Sequence, residues 1–435
     1  MIAGMNWHEL YSFASKQALL GLCFEGIERL GEEYPEELKR NPIGRELLMT
    51  WMGKAQQIRR QNMKVNAVAS KLFSMLREDG MRCCVLKGQG NALMYPNPYS
   101  RTPGDIDVWI DASRERIMEY ASKKFELGDD IRLQHLETSL DGVPVELHFF
   151  PCSMNNILYH ARLQKWFRRN ADLQCSHIVG LPDEAGDIAI PTTAFNVIYQ
   201  LTHLYHHFFD EGIGMRQIID YFLVVNDFSK NVFLNNDLSN HPVNFSNHPV
   251  PLSKEGSTFS LSPSSSGSGD VTAPSRCSEP LRSKDGGPSK VSPDCAGWDR
   301  LAIEGDNSAG STTVVTSSAS TALVVVQREL KYLGLWKFAG AVMYVLHEAL
   351  GLPEEKMIAP MDEKRGKLLL AEILNGGNFG KHFTKYGHFT QQGMAKKYFL
   401  KIWRNMHFVR YFPAEALCEP IFRTWHFFWR LKHRR

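Results

Sequence analysis

The chain contains, in order, Leu86-Lys-Gly-Gln-Gly90, Arg101-Thr-Pro-Gly-Asp-Ile-Asp-Val-Trp-Ile110 and Val143-Pro-Val-Glu-Leu-His148. The second segment ends in a predicted strand over 105–110, along which side chains alternate between two faces. Asp105 and Asp107 therefore point the same way on a strand that is otherwise apolar. Two adjacent carboxylates repel each other, and a divalent cation such as Mg²⁺, which prefers oxygen ligands, removes that repulsion. The pattern predicts a metal site on this strand.

A third carboxylate lies on a later strand. The dipeptide Asp141-Gly142 separates two alternating segments, which favours a hairpin with strands over 133–140 and 143–149. Glu146 alternates with apolar neighbours on the second of these strands. We expect it to bind metal beside the first two carboxylates, or to act as a general base toward an acceptor hydroxyl. His148 lies two residues further on the same face, either as a neighbour of the site or as a partly buried structural histidine.

A glycine-rich turn follows the first predicted strand. Cys83-Cys-Val-Leu86 is a short apolar run, and it ends at Lys87-Gly88 before a short predicted helix. Backbone N–H groups at such a turn bind phosphate oxygens. The turn is therefore predicted to hold phosphate groups close to the metal site.

The rest of the chain is mostly helical in pattern. Apolar residues recur at helical spacing over 1–79, 156–228 and 323–435, whereas 80–155 mixes strands and helices. A Ser-, Pro- and Gly-rich insertion at 229–322 cannot bury enough apolar surface to offset its ordering entropy, so we expect it to be disordered. The prediction is an α+β protein in which a small mixed sheet is embedded in a larger helical body.

Composition limits the class of protein. The chain has 435 residues, of which 43% are hydrophobic and 22% charged, and its formal net charge is +3. These values exclude collagen-like, wholly disordered and disulfide-scaffold proteins. The eight cysteines include no CxxC pair, which fits free thiols in a reducing compartment. No stretch resembles a signal peptide or a membrane span, so we expect a cytoplasmic protein.

The motifs resemble those of an uncharacterised bacterial nucleotidyltransferase family. The resemblance rests on Leu86-Lys-Gly88, Tyr95-Pro-Asn-Pro98, Arg101 and Gly104-Asp-Ile-Asp107. It extends to His203-x-x-x-His207, to Gly212-Ile-Gly-Met-Arg-Gln-Ile-Ile-Asp220 and to Leu333-Gly-Leu-Trp-Lys-Phe-Ala339.

This resemblance implies an enzyme that moves a nucleoside monophosphate from an NTP to an acceptor, with release of pyrophosphate. Asp105, Asp107 and Glu146 are the expected catalytic residues and the ligands of one or two Mg²⁺ ions. The acceptor stays open among a small molecule, a protein and an RNA. The alternative is a non-catalytic module that binds a nucleotide or a partner on the same fold.

The residues expected to bind the nucleotide are Lys87, Gly88, Gln89, Arg101 and Arg216. The superfamily usually has Gly-Ser or Gly-Gly at the turn, whereas this chain has Gly88 followed by Gln89. Lys87 is therefore expected to supply the charge that holds the phosphates. Arg101 binds phosphate, pairs with an acid or anchors its loop.

The helical segment 203–220 also carries polar residues of the family pattern. Arg216 and Asp220 form an i, i+4 ion pair or line the cleft. The i, i+4 spacing of His203 and His207 suits zinc, but no third ligand is near in sequence, so we expect these two histidines to pack.

Residues 394–435 interleave basic and aromatic side chains. They contain ten Lys or Arg against two Glu, a local charge of +8. Docking on the helical body, contact with an anionic membrane surface and nucleic-acid binding are all open for this segment. The last two make an anionic partner one prediction for residues 394–435.

Overall fold

The computed structural model describes residues 4–127, 132–237, 318–382 and 394–433. The disorder predicted for the middle of the insertion, residues 238–317, lies outside this described part of the chain. Among the described residues, every helix is either too short or too polar to span a bilayer.

Four helices form the N-terminal region: α1 (Trp7–Lys16), α2 (Leu20–Glu33), α3 (Pro35–Arg40) and α4 (Arg45–Glu78). The side-chain oxygen of Asn6 accepts hydrogen bonds from two backbone N–H groups in the first turn of α1 and so caps that helix. The 34 residues of α4 include no proline and one glycine, Gly53, which allows an uninterrupted helix. Its C-terminal half packs on the sheet through Val65, Leu72 and Leu76.

The sheet is small and mixed. Its strands and the helices between them are β1 (Cys83–Val85), α5 (Gln89–Ala92), β2 (Ile106–Ile110), α6 (Arg114–Lys124), β3 (His135–Leu140) and β4 (Val143–His148). The strand order is β1-β2-β4-β3, with β2 parallel to β4 and the other two pairs antiparallel. Asp141 and Gly142 both have positive φ, 51° and 70°, as a two-residue hairpin turn requires. The predicted hairpin is therefore confirmed, and so is the α+β fold.

The two faces of the sheet pack against different helices. Val85, Ile106 and Val108 face α4 and α6 in an apolar core. On the opposite face, Trp109 packs against Phe167 of α7 (Ile157–Ser176) and stacks on Phe195 of α8 (Thr193–Asp210), with ring centroids 6.2 Å apart in both pairs. Because β2 alternates, Asp105 and Asp107 share this second face with Trp109.

A short hairpin interrupts the region predicted to be helical over 156–228. It consists of β5 (Ile178–Gly180) and β6 (Asp187–Ala189), which pair antiparallel between α7 and α8. Gly186, with a φ of +101°, lies in its turn. The all-helical prediction is wrong here because the β-branched residues Ile178 and Val179 lie just beyond α7, and the turn residues Pro182 and Gly186 let the chain reverse.

The helices beside the insertion extend further than predicted. Helix α9 (Met215–Asp237) runs past residue 229, and α10 (Ser318–Tyr332) begins before residue 322. Ser229 is buried, and its hydroxyl donates to the carbonyls of Val225 and Lys356, at 2.9 and 3.2 Å. The predicted boundaries of the insertion are therefore too wide at both ends, because its average composition conceals the helical residues at its edges.

Five more helices complete the described chain: α11 (Trp336–Leu350), α12 (Glu363–Gly376), α13 (Met394–Met406), α14 (Pro413–Ala416) and α15 (Glu419–His433). Short 3₁₀ turns lie at Pro98–Ser100, Pro182–Glu184, Glu354–Lys356 and Asn378–Gly380. The helical pattern predicted over 323–435 is broken at Gly334, whose φ of +73° a helix interior does not allow.

The basic and aromatic segment turns its two acids inward. Glu415 and Glu419 are each 1% exposed. Glu415 accepts hydrogen bonds from the backbone N–H groups of Asn155 and Asn156, just before α7. On α15, Ile421 and Phe428 are instead exposed to solvent. The segment thus docks on the helical body through part of its surface, and an anionic partner stays a prediction.

Candidate active site

Three carboxylates converge where β2 and β4 lie side by side. Asp105 directly precedes β2, and the register of the parallel pair sets Asp107 opposite Glu146. One carboxylate oxygen from each of the three residues lies within 4.8 Å of those from the other two. Asp105, Asp107 and Glu146 are here named the carboxylate cluster. Alternation along β2 and the parallel pairing of β4 with β2 together bring these side chains to one face.

Lys87 reaches into this cluster from the turn after β1. Its Nζ lies 3.1 Å from Oδ1 of Asp107 and 2.9 Å from Nε2 of His203 on α8. The turn depends on Gly88, whose φ of +60° favours glycine. The lysine therefore links the glycine turn to the carboxylate cluster and to α8.

His148, two residues after Glu146 on β4, contacts the carboxylate cluster. Its Nε2 lies 3.1 Å from Oδ1 of Asp107 and 3.2 Å from Oε2 of Glu146. Burial disfavours the charged imidazole, but the two carboxylates outweigh burial and raise the pKa of His148 to about 9. The structure thus makes His148 a neighbour of the site, one of the two roles that the sequence left open.

The carboxylates differ in their electrostatics. The charge of Asp107, together with burial, raises the pKa of Asp105 to about 6. Burial opposes ionisation of Asp107, but Lys87 and His148 hold the pKa of that carboxyl well below its usual range. In Glu146, burial favours the protonated carboxyl, whereas the hydrogen bond with His148 favours the ionised one. The result is a lowered pKa of Glu146. The cluster therefore concentrates negative charge in a partly desolvated place, with Asp105 the carboxylate that is least well compensated.

These residues fit a hard divalent cation. Carboxylate oxygens are the ligands that Mg²⁺ prefers, and the mutual repulsion of Asp105 and Asp107 is what such an ion relieves. Lys87 supplies a single positive charge, and its ion-pair contact is with Asp107. The donor set and the uncompensated charge both indicate a divalent metal.

Comparison with known proteins identifies the family of this chain. The family described as an uncharacterised nucleotidyltransferase matches residues 3–239, which is more than half of the chain. The chain belongs to this family. The match includes the glycine turn, both strands of the carboxylate cluster and the helices α8 and α9.

Two other comparisons add little to this nucleotidyltransferase assignment. An antigenic nucleotidyltransferase-like protein from Paracoccidioides brasiliensis is 16% identical, with 37% of this chain and 75% of that chain covered and a TM-score of 0.26. A score that low supports no argument about this chain. No curated protein matches the chain.

A small cleft adjoins the carboxylate cluster. Its lining includes Lys87, His203, Arg216 and Phe379, and its volume is about 30 Å³. Arg216 donates from Nη1 to the carbonyl of Thr102, at 2.9 Å, while its Nε is buried without a hydrogen-bond partner. The guanidinium also lies 5.6 Å from the centre of the Phe379 ring. Arg216 therefore lines the cleft with one donor unsatisfied.

Arg101 forms its ion pair with Asp220 rather than with the carboxylate cluster. Its Nε and Nη2 donate to the two carboxylate oxygens of Asp220 on α9, each at 2.8 Å, and the Tyr95 hydroxyl donates to the same carboxylate at 2.8 Å. Arg101, Asp220 and Tyr95 are here named the Asp220 cluster. Of the three roles open for Arg101, the structure shows pairing with an acid. Of the two roles open for Arg216 and Asp220, both residues line the cleft, and the ion pair of Asp220 is with Arg101 instead.

Gln89 points away from the carboxylates. Its side-chain amide is 4% exposed and donates to the Asn66 side chain on α4. The structure therefore brings Lys87, Gly88 and Arg216 toward the cleft, whereas the Gln89 side chain secures the glycine turn to the N-terminal helix. Nucleotide binding by these residues stays a prediction.

The sequence did not predict two contacts of the site. His203 touches Lys87 and, at 3.1 Å between Nε2 atoms, His207, so this pair supports the lysine as well as packing. His135 on β3 faces Glu146 across the hairpin. The predicted hairpin implies the second contact. A register that pairs Leu140 with Val143 also pairs His135 with His148, and Glu146 lies two residues from His148 on the same face.

Proposed function

We propose that this nucleotidyltransferase transfers a nucleoside monophosphate from an NTP to the hydroxyl of an acceptor in a Mg²⁺-dependent reaction. The observation that carries the proposal is the convergence of Asp105, Asp107 and Glu146 within 4.8 Å on one face of the sheet. Membership of a nucleotidyltransferase family supports the reaction class. The acceptor is not part of the proposal.

The reaction balances as one displacement at phosphorus. The acceptor oxygen forms a bond to the α-phosphorus as the bond from that phosphorus to the bridging oxygen of the β-phosphate breaks. Pyrophosphate leaves with the bonding electrons, and the hydroxyl proton passes to a base. Glu146 is a carboxylate with a lowered pKa at the site, so it is ionised and able to accept that proton, or to hold metal instead.

The carboxylate cluster would hold Mg²⁺, which when bound neutralises phosphate charge and orients phosphate oxygens. The chain's own contribution is to place three oxygen donors together and to favour the ionised form of two of them, Asp107 and Glu146. Asp107 is the most strongly ionised of them because Lys87 and His148 both contact it, which offsets its burial.

The triphosphate would lie between the cluster and the cleft. Lys87 and the free Nε of Arg216 supply positive charge on this path, and Gly88 lets the backbone approach. A nucleotide pocket typically encloses about 300–1,000 Å³, far above the roughly 30 Å³ of the cleft. Nucleotide entry therefore requires the 3₁₀ turn Asn378–Gly380, which carries Phe379, to move away from Arg216.

The test is transfer of label from an α-³²P-labelled NTP to components of a cell extract, with pyrophosphate release measured in parallel. Transfer should need Mg²⁺ and should be lost in Asp107→Asn. Asp111→Asn is the matched control, because Asp111 follows the same strand but pairs with Arg82 away from the cluster. Transfer retained in Asp107→Asn would contradict the proposal.

One observation favours the non-catalytic alternative. Lys87 already binds Asp107, and the Gln89 side chain leaves the turn without the hydroxyl that the superfamily usually has there. A binding module of this kind would retain nucleotide affinity in Asp107→Asn and release no pyrophosphate with any extract fraction. The labelled-NTP experiment separates the two functions.

A further inference from the structure

His135 is a buried side chain with no hydrogen-bond partner among the residues that the structure describes. It is 8% exposed, and neither ring nitrogen makes a hydrogen bond to any of those residues. Leaving a buried polar group unsatisfied costs about 1–3 kcal/mol. A histidine held in this state at the edge of an active site indicates a ligand for its ring nitrogens.

The unsatisfied histidine faces two further ligand groups. Its Nδ1 lies 3.4 Å from Oε2 of Glu146, and the same oxygen lies 3.2 Å from Nε2 of His148. One ligand atom from each of the three residues lies within 4.8 Å of the other two. The antiparallel register, which pairs His135 with His148, fixes this arrangement in the backbone.

The spacing matches the coordination shell of a transition metal. Ligand bonds of about 2.1 Å at tetrahedral angles place the ligand atoms about 3.4 Å apart. The two measured separations, 3.2 and 3.4 Å, agree with that value without any movement of the backbone. Asp107 lies 3.1 Å from the same nitrogen of His148, so it is close enough to contribute a fourth ligand.

We propose that His135, Glu146 and His148 bind a divalent transition metal of the Zn²⁺ type. Imidazole ligands favour zinc and its neighbours, whereas Mg²⁺ prefers oxygen ligands throughout. The site differs from the carboxylate cluster in two of its three ligands and shares Glu146 with it. Nucleotide transfer as proposed above needs only the carboxylate cluster, so this metal site goes beyond that function.

The second nitrogen of His148 has a partner that orients the ring. Its Nδ1 lies 3.3 Å from the side-chain amide of Gln134. When Nε2 binds metal, Nδ1 carries the proton. The amide of Gln134, whose nitrogen also donates to the carbonyl of Pro151 at 3.0 Å, then has to turn over and give up that bond for its oxygen to accept the proton. Metal ligation thus replaces the contacts of Nε2 with Asp107 and Glu146 but keeps the ring in place.

The test measures metal binding alone, on untagged full-length protein without nucleotide. Calorimetry gives the affinities for Zn²⁺ and Mg²⁺, and the visible absorption of bound Co²⁺ reports tetrahedral coordination. His135→Ala should weaken Zn²⁺ binding by at least about 100-fold, since even the loss of a hydrogen-bonding neighbour of a ligand costs about 10–100-fold. The same variant should keep Mg²⁺ affinity within about twofold and lose the tetrahedral Co²⁺ spectrum.

Asp105→Asn is the matched variant with the opposite expectation. Asp105 belongs only to the carboxylate cluster, so its loss should weaken Mg²⁺ binding and leave Zn²⁺ affinity unchanged. His135→Phe fills the same space without ligand atoms and repeats the test if His135→Ala does not fold. Zn²⁺ affinity that is unchanged by both His135 variants, or lost equally in Asp105→Asn, would overturn the proposed site. Failure of Mg²⁺ binding in the wild type would instead count against the proposed function.

Discussion

Two clusters of buried charge lie at the same cleft and differ in how fully their charges are paired. In the Asp220 cluster, both carboxylate oxygens accept from Arg101, and Tyr95 adds a third hydrogen bond. In the carboxylate cluster, three acids share the contacts of Lys87 and His148. The first cluster has no need of a ligand, whereas the second has charge left for one. Incomplete pairing therefore distinguishes the candidate site from a structural ion pair of similar burial.

The largest expected effect concerns the paired cluster. Asp220→Asn leaves the buried Arg101 guanidinium without its counter-charge, which should lower the free energy of unfolding by about 3–5 kcal/mol. Urea denaturation measures this loss, which should be the same with Mg²⁺ and with EDTA. Replacing both partners by Arg101→Met and Asp220→Leu should regain most of the stability. A loss below about 1 kcal/mol, the value expected for the exposed pair of Arg82 and Asp111, would show that the cluster is not structural.

Glu415 tests whether incomplete pairing alone makes a site. It is buried without a cation, and this burial raises its pKa to about 7, against 4.5 ordinarily, although two backbone N–H groups oppose the shift. The folded state thus holds the proton more tightly than the unfolded state, so stability from Glu415 is full below pH 4.5 and falls as pH rises through about 7.

Over that range, wild type should lose about 3 kcal/mol relative to Glu415→Gln, since each pKa unit corresponds to about 1.4 kcal/mol. The comparison uses urea denaturation at matched pH values between 4 and about 8. Zn²⁺ and Mg²⁺ affinities should be the same in both proteins. Equal pH profiles would show that the backbone N–H groups of Asn155 and Asn156 keep the carboxylate ionised.

The carboxylate cluster should respond to substitution in the opposite direction from the Asp220 cluster. Asp105→Asn removes the repulsion that Asp107 imposes, so metal-free protein should gain up to about 1 kcal/mol after solvent screening. Wild type should instead gain about 2.7 kcal/mol from Mg²⁺ at 100 times its dissociation constant, and the variant should gain little. Thermal unfolding with Mg²⁺ and with EDTA measures both. If the metal-free variant were markedly less stable than metal-free wild type, this result would contradict the repulsion between Asp105 and Asp107.

Lys87 and Arg216 should separate metal binding from nucleotide binding. Lys87→Met removes a cation from Asp107, so it should raise Mg²⁺ affinity and lower NTP affinity. Arg216→Met should lower NTP affinity by about tenfold, or about 1.4 kcal/mol, and leave Mg²⁺ affinity unchanged. Calorimetry with each ligand resolves the pattern. Equal loss of Mg²⁺ affinity in the two variants would show that they disturb the fold rather than the site.

The sequence was sufficient for the parts of the site that local rules control. Strand alternation placed Asp105 and Asp107 on one face, and the Asp141-Gly142 turn predicted the hairpin whose second strand carries Glu146. The parallel pairing of β4 with β2, which sets Glu146 opposite Asp107, is a contact that no local rule specifies. Other partners depend on packing between distant helices. Arg101 meets Asp220 across 119 positions and Lys87 meets His203 across 116, and no local rule selects those partners.

Helix boundaries likewise divide into those that local sequence predicts and those that it does not. The hydroxyl of Ser113 caps α6, which is a contact that sequence can reveal because the capping oxygen and its N–H partner are three residues apart. The β5–β6 hairpin and the break at Gly334 were missed, since three-residue strands and single αL residues carry almost no periodic signal.

The most direct test is calorimetric titration of the four NTPs, in Mg²⁺ and in EDTA, on wild type, on the double variant Asp105→Asn/Asp107→Asn and on the control Asp111→Asn. If the incompletely paired cluster is the nucleotide site, at least one NTP binds wild type and the control in Mg²⁺. That binding disappears in EDTA and in the double variant. NTP binding that survives both conditions, or wild type that binds no NTP in Mg²⁺, would contradict the assignment of the carboxylate cluster as the active site.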